Sequence, residues 1–327
     1  MLTLRVDDPD ARHAAVRLRT DLAVDDPEFA REDGGWVLRL APGRVARLEY
    51  ELELVGHDGH VVVVCDPGNP HRAPGAFGDK SVLLLPGYRP PAWLDAPRVE
   101  GAFTDMRDGV RLWSPAGAPA GAALPLLVAH DGPEYDALAS LTAYAAAMIA
   151  CGALPAFRVA LLAPGDRDER YSASAAYART LCRDVLPGLP AAGRPVGMGA
   201  SLGALAMLHA QRRFPDAFAA LFLQSGSFFV PRYDRHEAGF FRYGRIVRFV
   251  RTVRRGAPFA PVPVPVPVTL TCGAEEENVH NNRAMATALA AQGYPAELHE
   301  VPDLHNYTGW RDAFDPFLTE LLQGVWT

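Results

Sequence analysis

Two patterns of apolar and polar positions divide the chain. Over the first 95 or so residues the apolar positions come in short runs at 36–40, 46–54 and 60–65, each bounded by Gly, Asp or Pro. In the second run Leu48, Tyr50, Leu52 and Leu54 alternate with Glu49, Glu51 and Glu53. A period of two puts the apolar groups on one face of a strand. Gly56-His57-Asp58-Gly59-His60 between the second and third runs reads as a hairpin turn, because Asp-Gly accepts positive φ. Residues 1–95 are expected to form a small Ig-like β-sandwich. The Pro- and Gly-rich stretch 66–91 is expected to be mostly extended loop.

From about residue 96 short buried runs alternate with longer alanine-rich ones. Strands are expected at 124–129, 157–162, 195–200, 219–223, 266–270 and 296–301. Helices are expected at 138–150, 173–186, 202–214 and 281–292. Alternating β and α elements imply a parallel sheet with helices on both faces, so residues 96–327 read as an α/β domain. Pro261 to Pro267 alternates proline with valine and predicts a stiff extended spacer leading into the strand near Val268.

Composition narrows the classes. The chain has 327 residues, 49% of them hydrophobic and 21% charged, with a net charge of −6. That is a globular balance, and the mild acidity argues against a nucleic-acid partner. No apolar run reaches the ~18 residues of a membrane span, and no leader-like start is seen. The four cysteines stand singly, which suits a reducing cytosol and a cytoplasmic location.

Candidate chemistry lies in the second domain. Gly199-Ala200-Ser201-Leu202-Gly203 follows an apolar strand and opens a helix, the context of a nucleophile elbow. The flanking glycines admit a sharp turn, and the helix N-terminus sets the Leu202 N–H beside the serine hydroxyl for an oxyanion. In this arrangement the acid and then the histidine follow the serine. Of the later histidines, His305 comes just after an expected strand, in the loop 302–307, and is the expected base. The acid should follow the preceding strand, where Glu275, Glu276 and Glu277 stand together. Position alone does not choose among them.

Several pieces together resemble one family: His130-Asp131-Gly132, Pro164-Gly165-Asp166-Arg167 with Arg170-Tyr171, the serine elbow, Gln224-Ser225-Gly226-Ser227-Phe228, Gly273 to Glu276, and His305 with Trp310-Arg311. Residues 124–317 resemble the esterases that include enterochelin (ferric-siderophore) esterases, esterase D and mycolyltransferases of the antigen 85 type. The siderophore branch also carries an N-terminal β-sandwich. The resemblance implies an α/β-hydrolase with Ser201 as nucleophile and His305 as base. Its G-x-x-E spacing points to Glu276, with Glu277 next. It also implies an oxyanion donor from the residue after Asp131-Gly132. That residue is Pro133, which has no N–H, leaving Gly132 or Glu134 to join Leu202.

Arginines 242, 245, 248, 251 and 254 recur at every third position with interleaved apolar residues, an amphipathic helix where such hydrolases carry lids. Tyr135, Arg245 and Arg248 are the candidate substrate contacts. A basic lid favours an anionic ester such as a ferric catecholate. The plainer expectation is a solvated face paired with surface carboxylates. His57-Asp58-Gly59-His60 is read as a turn, not a metal pair. The expectation is a serine esterase for a small-molecule carboxylic ester, with no metal or cofactor, no nucleic-acid or membrane partner, and homo-oligomerisation open. Acyl transfer, or a binding protein with an impaired oxyanion hole, are the alternatives.

Overall fold

Alternation within the N-terminal strands builds two facing sheets. In the computed structural model, which describes residues 1–119, 122–256 and 263–326, they form from eight short strands. These are β1 (Leu2–Asp7), β2 (His13–Arg19), β3 (Ala30–Glu32), β4 (Gly35–Leu40), β5 (Arg47–Gly56), β6 (Val61–Val64), β7 (Arg72–Ala73) and β8 (Lys80–Leu84). One sheet runs β1-β4-β3 and the other β2-β5-β8-β7, with β6 paired to β5. Leu4, Val6, Leu38 and Leu40 from the first sheet share a core with Val16, Leu18, Leu48, Tyr50 and Leu52 from the second. The turn at 56–60 closes as expected, with the Gly56 N–H donating to the His60 carbonyl at 2.8 Å. The loop expected over 66–91 is corrected at β8, which pairs with β5 inside the second sheet.

The chain divides into two compact units at Arg89/Pro90. Trp93, 2% exposed, belongs with the second unit, where it packs on Tyr144 and Phe314. The first unit also takes two distant segments, Gly273–Glu276 and Val301–Gly309. Both carry candidate catalytic residues.

The second unit is built on eight strands. These are β9 (Gly101–Asp105), β10 (Val110–Pro115), β11 (Leu126–His130), β12 (Arg158–Leu162), β13 (Val196–Ala200), β14 (Ala220–Gln224), β15 (Val268–Gly273) and β16 (Ala296–Val301). Their order is β16-β15-β14-β13-β11-β12-β10-β9. The pairings β12-β11-β13-β14-β15 are parallel, and β10 runs antiparallel to both β9 and β12. The Val268 N–H donates to the Pro295 carbonyl and the Ala274 N–H to the Val301 carbonyl, so β16 runs parallel to β15. Strands β11 to β14 are buried along their whole length, as central parallel strands must be.

Nine helices are described: α1 (Gly132–Ala139), α2 (Leu141–Ala150), α3 (Arg167–Tyr171), α4 (Ala175–Thr180), α5 (Leu202–Arg213), α6 (Tyr243–Arg254), α7 (Val279–Ala290), α8 (Tyr307–Asp312) and α9 (Thr319–Val325). The helix expected at 138–150 is divided at Ser140, whose φ of 55° ends α1 and starts α2. The proline alternation begins at Pro261 and Val262, which lie outside the described residues. From Pro263 to Pro267 it forms neither helix nor strand.

Candidate active site

The elbow belongs to the second unit. Ser201 joins β13 to α5 at φ 55° and ψ −123°, a strained conformation for a residue with a side chain. Gly199 explains how the turn closes: a Cβ there would lie 2.6 Å from the Gly203 carbonyl carbon. Leu202 opens α5, so its N–H has no acceptor within the helix and is positioned for an anion. The Ser201 N–H donates to the Gln224 carbonyl at 2.9 Å, tying the elbow to the end of β14.

Ser227 was no candidate from the sequence, yet its Oγ lies 3.0 Å from Ser201 Oγ. Its backbone N–H also donates to the Ser201 carbonyl at 3.1 Å. The loop that presents it is firmly held. Asn282 accepts from the Gly226 N–H at 3.0 Å and donates to the Gly226 carbonyl at 3.1 Å. Trp310 Nε1 donates to Ser225 Oγ at 2.9 Å. The Ser-Gly-Ser run is the available signal, but a serine pair in a loop does not reveal which hydroxyl meets Ser201.

The turn after β11 is equally constrained. Asp131, at φ 48°, is 3% exposed and takes a forked ion pair from Arg167 at 2.8–3.0 Å. A Cβ on Gly132 would lie 2.3 Å from Leu161 Cα, so only glycine fits there. Gly132, Pro133 and Glu134 form the first turn of α1, and only Gly132 and Glu134 bring N–H groups to it. His130 is fully buried. Its Nδ1 is 2.9 Å from the Gly203 carbonyl and its Nε2 is 2.8 Å from the Tyr177 hydroxyl. A carbonyl only accepts, so Nδ1 carries the proton and Nε2 accepts from the tyrosine. Burial lowers the His130 pKa to about 4, keeping the ring neutral.

Glu276 and His305, the candidate acid and base, both lie in the first unit. Glu276 follows the end of β15, and its carboxyl is 1% exposed. Its Oε1 accepts the Gly273 N–H at 2.7 Å, and its Oε2 meets His305 Nδ1 at 2.9 Å. In a neutral ring the carboxylate places the proton on Nδ1 and the lone pair on Nε2. Glu275 instead accepts from Arg44, and Glu277 pairs with His236 at 3.1 Å. Of the three adjacent carboxylates, Glu276 is the one that reaches His305.

The substrate-contact expectations are corrected at two positions. Tyr135 is 0% exposed, and its hydroxyl donates to Gln224 Oε1 at 2.8 Å, so it packs the core instead of facing a ligand. Arg245 is held by Glu169 and the Ser172 carbonyl, and Arg242 shares the same glutamate. The hydrogen bond from Arg245, with both arginines' charges, holds the Glu169 carboxyl below its usual range. Arg248 is exposed on α6, while Ile246, Phe249, Val250 and Val253 bury the other side of that helix. His236, Glu237 and Glu277 bring three ligand atoms within 4.8 Å of one another, but His236 and Glu277 are exposed and in contact with each other at 3.1 Å.

No protein-family model and no curated protein matches the sequence. Solved structures do. The ferric enterobactin esterase of Salmonella typhimurium aligns at 19% identity with a TM-score of 0.77, over 98% of this chain and 93% of that one. The enterobactin esterase of Shigella flexneri, solved in the presence of enterobactin, aligns at 18% identity with a TM-score of 0.74, over 98% and 92%. A ferulic acid esterase aligns with 71% of this chain and 99% of its own, at 13% identity and a TM-score of 0.52. The two longer alignments run through the N-terminal sheets as well as the eight-stranded unit, and the chain has the fold of the enterobactin esterases, an α/β-hydrolase preceded by a small β-sandwich.

Proposed function

We propose that the protein is a serine esterase that hydrolyses a carboxylic ester with Ser201, His305 and Glu276. The observation that carries this reading is that one chain holds both a strained serine elbow at a helix N-terminus and a histidine whose Nδ1 meets a buried carboxylate. Connectivity supports grouping them, since Ser201, Glu276 and His305 follow β13, β15 and β16 of one parallel array.

In the acylation step Ser201 Oγ attacks the ester carbonyl carbon as His305 Nε2 takes its proton. The oxyanion is received by the Leu202 N–H, with Gly132 or Glu134 as second donor in place of Pro133. Collapse breaks the bond to the alcohol oxygen, which leaves with the proton from His305. Water, deprotonated by the same nitrogen, then releases the acid from Ser201. Glu276 remains ionised and stabilises the imidazolium in both halves. The full-length likeness to enterobactin esterases supports an ester of siderophore type as substrate.

The test is intact mass after exposure to a fluorophosphonate, with turnover of p-nitrophenyl acetate and of enterobactin followed in parallel. A single adduct is expected, absent from Ser201→Ala and strongly slowed in His305→Ala, with kcat reduced by about 10⁴ or more in either variant. An adduct without turnover of any ester favours the impaired binding relative and indicts Pro133. Products that appear only with an added alcohol favour acyl transfer.

A further inference from the structure

The sandwich does more than precede the hydrolase unit. We propose that Arg44 and Arg47, at the entry to β5, are positioning residues that hold the two loops carrying Glu276 and His305, so that the first unit sets the geometry of the acid–base pair. The proposal rests on the esterase reading above.

The acid loop is held through Arg44. Its backbone N–H and its Nε donate to Glu275 Oε1 at 3.0 and 3.2 Å, and its Nη2 donates to the Ala274 carbonyl at 2.9 Å. Glu276 is the next residue. Two residues along, the Ala46 N–H donates to the Pro302 carbonyl at 2.7 Å, joining the base loop to the same corner.

The base loop is held more deeply. Arg47 is 1% exposed, and its Nε meets Asp303 Oδ2 at 2.7 Å while its Nη2 reaches Asp303 Oδ1 and Asn306 Oδ1. Its Nη1 donates to Glu49 at 2.7 Å. Asp303 Oδ1 also accepts the Leu304 N–H and Asn306 Nδ2, and Asn306 Oδ1 accepts the Gly309 N–H at 2.7 Å. The Leu304 side chain, 2% exposed, completes the core of the sandwich. His305 is therefore bracketed, with residues 303, 304 and 306 each fixed to the first unit and only the imidazole half-open to solvent.

A buried ion pair is weak evidence for stability, since apolar residues of the same volume commonly do as well. It does impose direction, because a forked guanidinium admits few placements of the carboxylate it meets. Here that carboxylate lies two residues before the base. Burial pushes the Asp303 carboxyl up to about 6 despite Arg47, which shows how completely the cluster is withdrawn from water. An imidazole that hands a proton between serine, leaving group and water needs its ring held to a fraction of an ångström. The ties to the sandwich supply that restraint from both loops.

The test uses the full chain and two readouts, the far-downfield proton resonance of His305 Nδ1–H and the kinetics on p-nitrophenyl acetate. His305→Ala assigns the resonance. Arg47→Met and Asp303→Asn are expected to lose it or move it upfield, with kcat down 10- to 100-fold and KM unchanged. Arg44→Ala, whose side chain is 61% exposed, should fold normally and show a weaker version of both effects, with partial recovery in Arg44→Lys. Variants that melt earlier but keep the resonance and the kcat well below their Tm would overturn the proposal, leaving the cluster a matter of stability alone. If Arg47→Met does not fold, Arg44→Ala decides by the same two readouts. If the parent protein shows no turnover, the esterase reading falls, and the resonance alone decides the positioning role.

Discussion

Replacing Gly273 by alanine would probe how closely the acid and base loops must approach. The backbone at Gly273 is not left-handed, so only space excludes a side chain there. A Cβ would sit 2.3 Å from the Asp303 carbonyl oxygen and 2.8 Å from both Asp303 C and Glu276 Cγ. A carbon and a carbonyl oxygen approach no closer than roughly 3.3 Å, so one loop must recede by about 1 Å. The neighbouring bonds have no slack, with Ala274 N–H to Val301 O at 2.8 Å and Glu276 to His305 at 2.9 Å. Stretched by that amount, the second is no longer a hydrogen bond. A displacement of this size lowers kcat by about 10²-fold, more if the imidazole tautomer is also lost. Overpacking at a buried site should also destabilise by about 1–3 kcal/mol, a fall in Tm of roughly 2–6 °C. The assay is p-nitrophenyl acetate turnover well below the Tm, beside a melting curve. A folded Gly273→Ala protein with kcat within threefold of the parent would refute the reasoning, because it would show that the two loops can separate without harm.

Ser227→Ala removes the hydroxyl beside the nucleophile, and kcat and the rate of phosphonate labelling should both fall about 3- to 10-fold, the value of one hydrogen bond; unchanged labelling would show that the contact is idle. Gly244 lies in α6 with open space where a Cβ would go, so Gly244→Ala should raise stability by about 0.4–1 kcal/mol in a urea melt. Acid should weaken the fold through His130, which takes a proton near pH 6.5 when unfolded but only at about 4 when buried. Stability is therefore lost as pH falls through that window, by roughly 2 kcal/mol between pH 7 and 5. His209, lowered to about 3 by burial and nearby arginines, adds with the same sign. The raised Asp303 carboxyl opposes both, so the comparison is a difference: urea melts of His130→Gln should lose roughly 2 kcal/mol less than the parent over that range, and an equal loss would count against the assignment.

The elbow was legible because its requirements are local: two glycines, a serine, a strand before and a helix after. Strand β16 was readable to the residue, since Ala296 to Val301 lies between a Gly-Tyr-Pro turn and a Pro-Asp turn. Lys80–Leu84 was obscured by flanking glycines and prolines, although its partner β5 is what makes it a strand. The choice among three consecutive glutamates needed the tertiary fold, because Arg44 takes Glu275 and the Gly273 N–H turns Glu276 inward. The same limit hid Tyr135: an aromatic after a catalytic-looking turn reads as a ligand contact until its hydroxyl is found on Gln224 inside the core. The arginine periodicity predicted a helix correctly but said nothing of Glu169, on α3 more than seventy residues earlier, which occupies two of its charges.

The segments that complete the sandwich are made long after its strands. Residues 1–89 leave the ribosome more than two hundred residues ahead of the 301–309 segment that belongs to their unit. Until then the core lacks Leu304, and Arg47 lacks Asp303 and Asn306. Arg47 keeps Glu49 but lacks those acceptors, and an unmet donor on a buried charged group costs about 1–3 kcal/mol, which weakens a small sheet pair. Contacts so distant in sequence close slowly, while the valine edge β6 keeps Val61, Val62 and Val63 exposed even in the native state. His305 and the loop residues that meet Arg47 are made together, more than 250 residues after the arginine that clamps them, so a chain that stops before residue 301 lacks both the histidine and the Asp303 and Asn306 side of that contact.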